Sequence, residues 1–395
     1  MVATLLAAAP ISGQSQNQGS CPPQPTVCKP VPPPRCGPLQ APQEPKTCAY
    51  NAPAEINVGI QGEIDFFASG SFIYWLPAQD NMNIALVNAN NVFVPAAPEP
   101  SILGNFVDMN FKFKPGFKAG LGMNLQTDDW DGYAEYTRVH GHHQTSTNGT
   151  AGVNASVFPT WGHPFLMGDL AGGLIFQNAT GRYRNHLDFV DAEMGRTYYV
   201  GKSLIFRSAW GARAAWILQS MHAHYEQRGA LAFQDPANVL VAFPSVADVY
   251  QRIHSWGVGP RTGLMMDWML GWGLRYFGSA YADILYTKYR IKDKTVLLPL
   301  LNTGALRIGN PMSVITRDRV GTLRTHLDFE TGFGWGSYFD NNNWHIDLAL
   351  AYGWQVFFSQ NMFRHFEDNV MVGLNTAPHG DLFVQGLTAT LRVDF

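Results

Sequence analysis

Ionisable side chains in this chain recur two residues apart and in both signs. Arg182, Arg184, His186 and Asp188 share one parity. So do Arg207 and Arg213; Arg261, Asp267 and Arg275; Arg324, His326, Asp328 and Glu330; and His345 with Asp347. Residues two apart in a strand point to the same side, so each group is a charged stripe. Opposed stripes around a water-filled space create a transverse field that orders water and favours small polar solutes over apolar ones. The same groups could instead brace or plug a narrow barrel with salt bridges. On the first reading the candidate pore lining is Arg182, Arg184, Asp188, Arg207, Arg213, Arg261, Asp267, Arg275, Arg324, Asp328, Glu330 and Asp347.

Other groupings point to less. His140, His142 and His143, and His222 with His224, have metal-ligand character, but histidines near strand ends are more often solvated, and no metal site is expected. Gly201-Lys202-Ser203 imitates the end of a phosphate loop, yet Arg196 stands where the first glycine belongs. No Gly-x-Ser-x-Gly elbow occurs, and Asp328 beside His326 on one face is not diagnostic of a triad. No catalytic residue, cofactor or enzyme activity is expected. Cys21, Cys28, Cys36 and Cys48 lack the Cys-x-x-Cys spacing and histidine partners of a zinc site. In an oxidising compartment they are disulfide candidates, within the segment or to other envelope proteins.

Stripes need strands to carry them, and period-two segments fill the chain beyond Pro53. Trp344, Ile346, Leu348, Leu350, Tyr352, Trp354 and Val356 oppose His345, Asp347, Ala349, Ala351, Gly353 and Gln355. Leu323, Leu327, Phe329, Phe333 and Trp335 oppose Arg324, His326, Asp328 and Glu330, and Asp340 to Asn343 supplies the turn of a hairpin. Trp210, Ala212, Ala214 and Trp216 oppose Arg207 and Arg213; Leu264, Met266, Trp268 and Leu270 oppose Arg261 and Asp267. At the end, Phe383, Leu387, Ala389, Leu391, Val393 and Phe395 oppose Thr388, Thr390, Arg392 and Asp394. Such strands span a bilayer with about 9 to 11 residues. Because a charge facing lipid at mid-bilayer costs about 2–4 kcal/mol, the charged face is expected to be the lumen. The segments 78–105, 144–170, 229–249, 293–319 and 359–381 read as long outer loops, and Trp75, Trp130, Trp161, Trp335 and Trp344 as interfacial girdles.

Composition agrees. Charged residues are 14% and aromatics 13% of 395 residues, with 39 glycines, while mean hydropathy is only -0.10. A soluble domain carries about 25% charge, and a helical membrane protein is far more apolar; an alternating barrel averages between them. A net charge of -3 without a basic patch argues against a nucleic-acid partner. About half of the 25 prolines precede residue 54, so that segment is expected to be irregular or polyproline-like. Val2 to Ala9 looks like the remnant of a secretory signal. The expected organisation is a signal remnant and linker over 1–20, a Cys/Pro-rich tail over 21–53 and a barrel over 54–395. That barrel is all-β, closed and antiparallel, of roughly a dozen strands within a range of ten to sixteen.

The stretch Gly181 to Gly201 (with Gly-Arg-Tyr-Arg-Asn-His-Leu-Asp-Phe-Val-Asp-Ala-Glu-Met-Gly-Arg), the Arg-Ser-Ala-Trp-Gly-Ala-Arg-Ala-Ala-Trp core within Leu204 to Gln219, and Gly257-Val258-Gly259-Pro260-Arg261-Thr262-Gly263 resemble the pore-forming major outer membrane proteins of the Legionella type, which have relatives in chlamydia-like bacteria. The likeness runs from about Ile56 to Phe395, and the final strand ending in Phe resembles the assembly signal of outer-membrane barrels. The resemblance implies a Gram-negative outer-membrane location and passive diffusion of small hydrophilic solutes or ions. The partners implied are outer-membrane lipid and those solutes, with a homo-oligomer or disulfide-linked envelope proteins in addition. The competing expectation is a structural or adhesive barrel with a sealed lumen.

Overall fold

The computed structural model describes residues 64–88, 104–125, 129–149, 157–163, 176–226, 233–234, 240–241, 244–299, 311–340, 343–366, 375–377 and 379–395. Cys21, Cys28, Cys36, Cys48, the signal remnant and the proline-rich tail lie outside them. Ten strands form the main body: β1 (Ile64–Gln79), β2 (Lys114–Leu125), β3 (Trp130–Asn148), β4 (Asn178–Val200), β5 (Leu204–Glu226), β6 (Pro244–Gly271), β7 (Leu274–Pro299), β8 (Met312–Phe339), β9 (Trp344–Phe357) and β10 (Leu382–Asp394). Each pairs antiparallel with its sequence neighbours, and the ring closes where β1 pairs β10, as in Phe72 with Ala389. Ten is the lower edge of the expected range. A short sheet of Asn83–Asn88, Gly104–Asp108 and Val157–Pro159 lies apart from the ring.

The connections differ at the two ends. One end has tight turns: Gly201 between β4 and β5, Gly271-Trp272-Gly273 between β6 and β7 with all three residues at positive φ, and Asp340 at φ 50° between β8 and β9. Long connections occupy the other end. Short turns mark the periplasmic side of such barrels and long connections the extracellular side.

Outward residues of β9 are Trp344, Leu348, Leu350 and Trp354, all 47–57% exposed, whereas Asp347 and Phe357 on the inner parity are nearly buried. Trp268, Trp335 and Trp344 stand outward near the short turns, and Trp216, Trp256 and Tyr286 form the opposite aromatic level. Trp75 and Trp161, expected in girdles, are instead 2% exposed: Trp75 points inward, and Trp161 packs under the separate sheet. Being aromatic at a strand end did not reveal which side each ring takes.

The strands β3 to β8 run well past that upper aromatic level, and β3, β6, β7 and β8 enter segments expected to be loops. There the polarity of the two faces inverts. On β7, Leu274, Ile284 and Tyr286 face lipid, but Lys288, Arg290, Lys292 and Lys294 follow on the same parity. Inside, Asp283 gives way to Leu285, Tyr289, Ile291 and Leu297. Above the bilayer the wall resembles a soluble barrel, apolar within and charged without. Tyr289, Ile291 and Leu297 join Ile84, Trp161, Tyr183, Tyr225, Ile253 and Phe363 in one core that anchors the separate sheet.

Leu350, 57% exposed on the outward face, sets a test of the lipid assignment. Leu350→Arg is expected to lower stability of the bilayer-inserted barrel by about 2–4 kcal/mol, and Leu350→Phe by much less. Denaturant unfolding in vesicles, followed by the heat-sensitive gel mobility of folded barrels, measures it.

Candidate functional site

Nine of the twelve proposed lining residues face the interior: Arg207, Arg213, Arg261, Asp267, Arg275, Arg324, Asp328, Glu330 and Asp347. Arg182, Arg184 and Asp188 do not. They share a parity with Val190 and Met194, which are 39% and 54% exposed, while Tyr183, Leu187 and Phe189 point in. Their strand has already left the hydrocarbon at that height, so outward charge costs little. Asp188 instead accepts hydrogen bonds from Tyr136 (2.7 Å) and His140 (3.2 Å) on the outer surface of β3.

The interior charges form two layers. In the upper one, Arg213 of β5 grips Asp191 of β4 through Nε–Oδ1 (2.5 Å) and Nη2–Oδ2 (2.7 Å). Its Nη1 lies 3.2 Å from Asp283 of β7, which also meets His326 at 2.5 Å. Arg261 of β6 contacts Asp283 (3.0 Å) and Asp328 (3.2 Å) and stacks 3.9 Å over the Tyr281 ring. Lys118 of β2 reaches Glu135 at 3.5 Å and Glu330, across the lumen on β8, at 3.8 Å. The layer near the short turns holds Arg207 with Asp131 and Glu193, Arg275 with Asp267 and Asp347, and Arg392 and His345 with Asp394.

The two layers hold Lys118, Arg207, Arg213, Arg261, Arg275 and Arg392 against Asp131, Glu135, Asp191, Glu193, Asp267, Asp283, Asp328, Glu330, Asp347 and Asp394. Acid is in excess. Lys118, Asp131, Glu135, Asp191, Glu193, Asp283, Arg392 and Asp394 were absent from the sequence-derived set. Each has the inner parity of its strand, and Asp191 with Glu193 and Arg392 with Asp394 stand two apart on it, so the signal was present in groups shorter than the stripes named from the sequence.

Directly above the upper layer the lumen is apolar, with Ile73, Trp75, Val139, Leu187, Ile217, Leu285, Leu382 and Val384 nearly buried. Phe189 of β4 stacks on Phe357 of β9 with centroids 5.3 Å apart. β4 and β9 lie on opposite walls, five places apart either way around the ring, so this pair bridges it. His326 packs on Phe357 at 4.0 Å and the Arg213 guanidinium sits 5.5 Å from the Phe189 ring, joining the ionic layer to the bridge. Higher still, in the part of β7 above the aromatic level, burial pushes the Asp293 carboxyl up to about 7; the Gln251 amide, donating at 3.1 Å, offsets part of this.

One grouping among the described residues has metal-ligand spacing: His222, His224 and Asp248, with ligand atoms within 4.8 Å of one another. It faces outward. Asp248 Oδ1 accepts from both rings at 2.8 Å, and Arg182 stands directly opposite His222, where its charge opposes a dication.

The chain belongs to the family described as Legionella pneumophila major outer membrane protein precursor, which it matches over residues 63–395. It is an outer-membrane protein. No curated relative matches it. Among solved structures it is similar to the outer membrane protease OmpT of Escherichia coli (9% identity, 86% of this chain and 98% of that one, TM-score 0.34). It is also similar to a Pseudomonas aeruginosa FadL homologue (9%, 84% and 90%, TM-score 0.23) and to the Ralstonia pickettii toluene transporter TbuX (9%, 84% and 89%, TM-score 0.24).

Two outcomes follow from this geometry. Arg213→Ala strands Asp191 without its cation and leaves Asp283 with Arg261 alone, and is expected to cost about 3–5 kcal/mol, whereas Arg213→Met with Asp191→Leu recovers most of it; denaturant unfolding of the wild type and these two variants reads both. Because the Asp293 carboxyl is raised in the folded state above its unfolded value, the folded protein retains a proton that the unfolded chain releases. Stability therefore falls as pH rises from about 4 to about 7 and stays lower above that. Asp293→Asn is expected to remove this slope, so that the difference in melting temperature between the two proteins grows across that window and then levels off.

Proposed function

We propose that this protein is an outer-membrane channel for small hydrophilic solutes, cations above all, that rests closed. One observation carries the reading: the two interior layers hold ten carboxylates against six permanent cations. Burying charge is expensive, and apolar side chains of the same volume would fill a purely structural barrel at lower cost. An excess of carboxylate in a space of low dielectric attracts small cations and repels anions. Arg275, Asp267 and Asp347 would act at the periplasmic mouth, and Arg213, Arg261, Asp283 and Asp328 at the constriction. The Phe189–Phe357 bridge supports the closed state.

The same bridge favours a second reading, a sealed barrel with an envelope-building role. Planar-bilayer recording separates the two. Wild type is expected to give rare, small, cation-selective steps, and Phe357→Ala with Phe189→Ala frequent ones of larger amplitude. Asp283→Asn with Asp328→Asn, in that opened background, should shift reversal potentials towards anions. Silence from both the wild type and the opened variant, each shown to be folded and inserted, would leave only the sealed barrel.

A further inference from the structure

The outer surface just above the upper aromatic level is strongly basic, and its charges lie side by side. Arg252 of β6, Lys292 of β7 and Arg317 of β8 are direct cross-strand partners in one row. Arg290 and Arg319 face each other in the adjacent row. All five are exposed on the outward parity, and none makes an ion pair with a described carboxylate. Like charges directly opposite each other in a sheet are destabilising, so this arrangement costs stability unless anions lie against it.

Position identifies the anion. Lys288 is two residues beyond Tyr286 on the same face, about 7 Å further along the strand, and its ammonium lies 5.5 Å from the Trp256 ring. Aromatic rings of this kind sit at headgroup level, so the basic rows begin where the polar surface of the outer leaflet begins. The apolar band below and the cations above occupy the same strands and the same face. A single amphiphile with acyl chains and a phosphate group meets both without crossing a gap, which a soluble polyanion does not.

We infer that this face of β6, β7 and β8 binds phosphate-bearing headgroups of outer-leaflet lipid. The guanidinium groups of Arg252, Arg317, Arg290 and Arg319 are suited to bidentate contact with phosphate oxygens, and Lys292 supplies a point charge between them. The inference is independent of whether the lumen conducts.

The test uses the full chain purified in neutral detergent. Native mass spectrometry counts retained molecules of a diphosphorylated glucosamine lipid, with phosphatidylcholine as the uncharged reference. Wild type is expected to retain the phosphorylated lipid selectively. Arg252→Gln with Lys292→Gln and Arg317→Gln, checked for folding by heat-sensitive gel mobility, should bind it about a hundredfold more weakly, as removal of three headgroup-level cations implies. Should that variant fail to fold, Arg252→Gln alone and wild type at raised salt replace it, each with weaker retention expected. Equal retention by wild type and variant, or by wild type at low and raised salt, overturns the inference. So does inorganic phosphate that displaces the lipid at equal concentration, which would make the rows a site for soluble anions.

Discussion

Everything in this barrel follows from a change of solvent along each long strand. Between the two aromatic levels the outside is hydrocarbon, and the alternation must put Leu264, Ile284 and Leu350 outward. Past the upper level the outside is water and headgroup, so the same parity carries Lys288, Arg290 and Lys292, while Tyr289, Ile291 and Leu297 turn inward. The register is constant through the transition; β6 and β7 remain paired from the Met269–Arg275 pair at the short turn to the Pro244–Pro299 pair at the far end, with shifts in register only near those two ends and one gap in the ladder at Gly259 and Pro260. Strand register is thus indifferent to the boundary, and side-chain identity records where the membrane stops.

That boundary also organises the interior. Opposite the hydrocarbon the lumen is ionic, and every cation in the upper layer touches at least two carboxylates. Such a lattice is only as stable as its pairing: removing one cation leaves several acids uncompensated, which is why the arginines and acids are spread over β2 to β8 and not confined to one hairpin. Near the upper aromatic level the lumen becomes apolar, and the inner cluster of Ile73, Leu187, Leu285 and Phe357 takes over.

The alternation in the sequence was enough to place β9 and β10 face by face, and to send Arg207, Arg213, Arg261, Asp328 and Asp347 inward. It failed at Arg182, Arg184 and Asp188 because charge was equated with lumen. Parity was the better guide, since these three share it with Val190 and Met194. The lengths of β6, β7 and β8 were not legible for a related reason: above the membrane Ile291 and Leu297 sit on the parity that lower down held Asp283, and a pattern that changes phase looks like the end of a strand. Contacts between opposite walls, such as Phe189 with Phe357 or Lys118 with Glu330, depend on how many strands close the ring, which no local pattern contains.

In the channel proposed above, closure has two elements in series, and they are unequal. The lower is the Phe189–Phe357 pair, whose ring stacking contributes about 0.5–1.5 kcal/mol beyond the area it buries. The upper is the sheet of Asn83–Asn88, Gly104–Asp108 and Val157–Pro159, held by the core around Ile84, Trp161, Tyr183 and Phe363. The Tyr225 hydroxyl of β5 donates to the carbonyl of Ile84 at 2.7 Å, so the sheet is pinned to the wall by a polar contact as well, while Trp161 Nε1, donating to the carbonyl of Asn83 at 2.5 Å, ties the sheet's own segments together. Rotating two phenylalanines disturbs a few neighbours, but lifting the sheet exposes many buried apolar side chains at once. The upper element is therefore the costlier of the two to displace, and a path for solutes that leaves the sheet in place is energetically favoured over one that removes it.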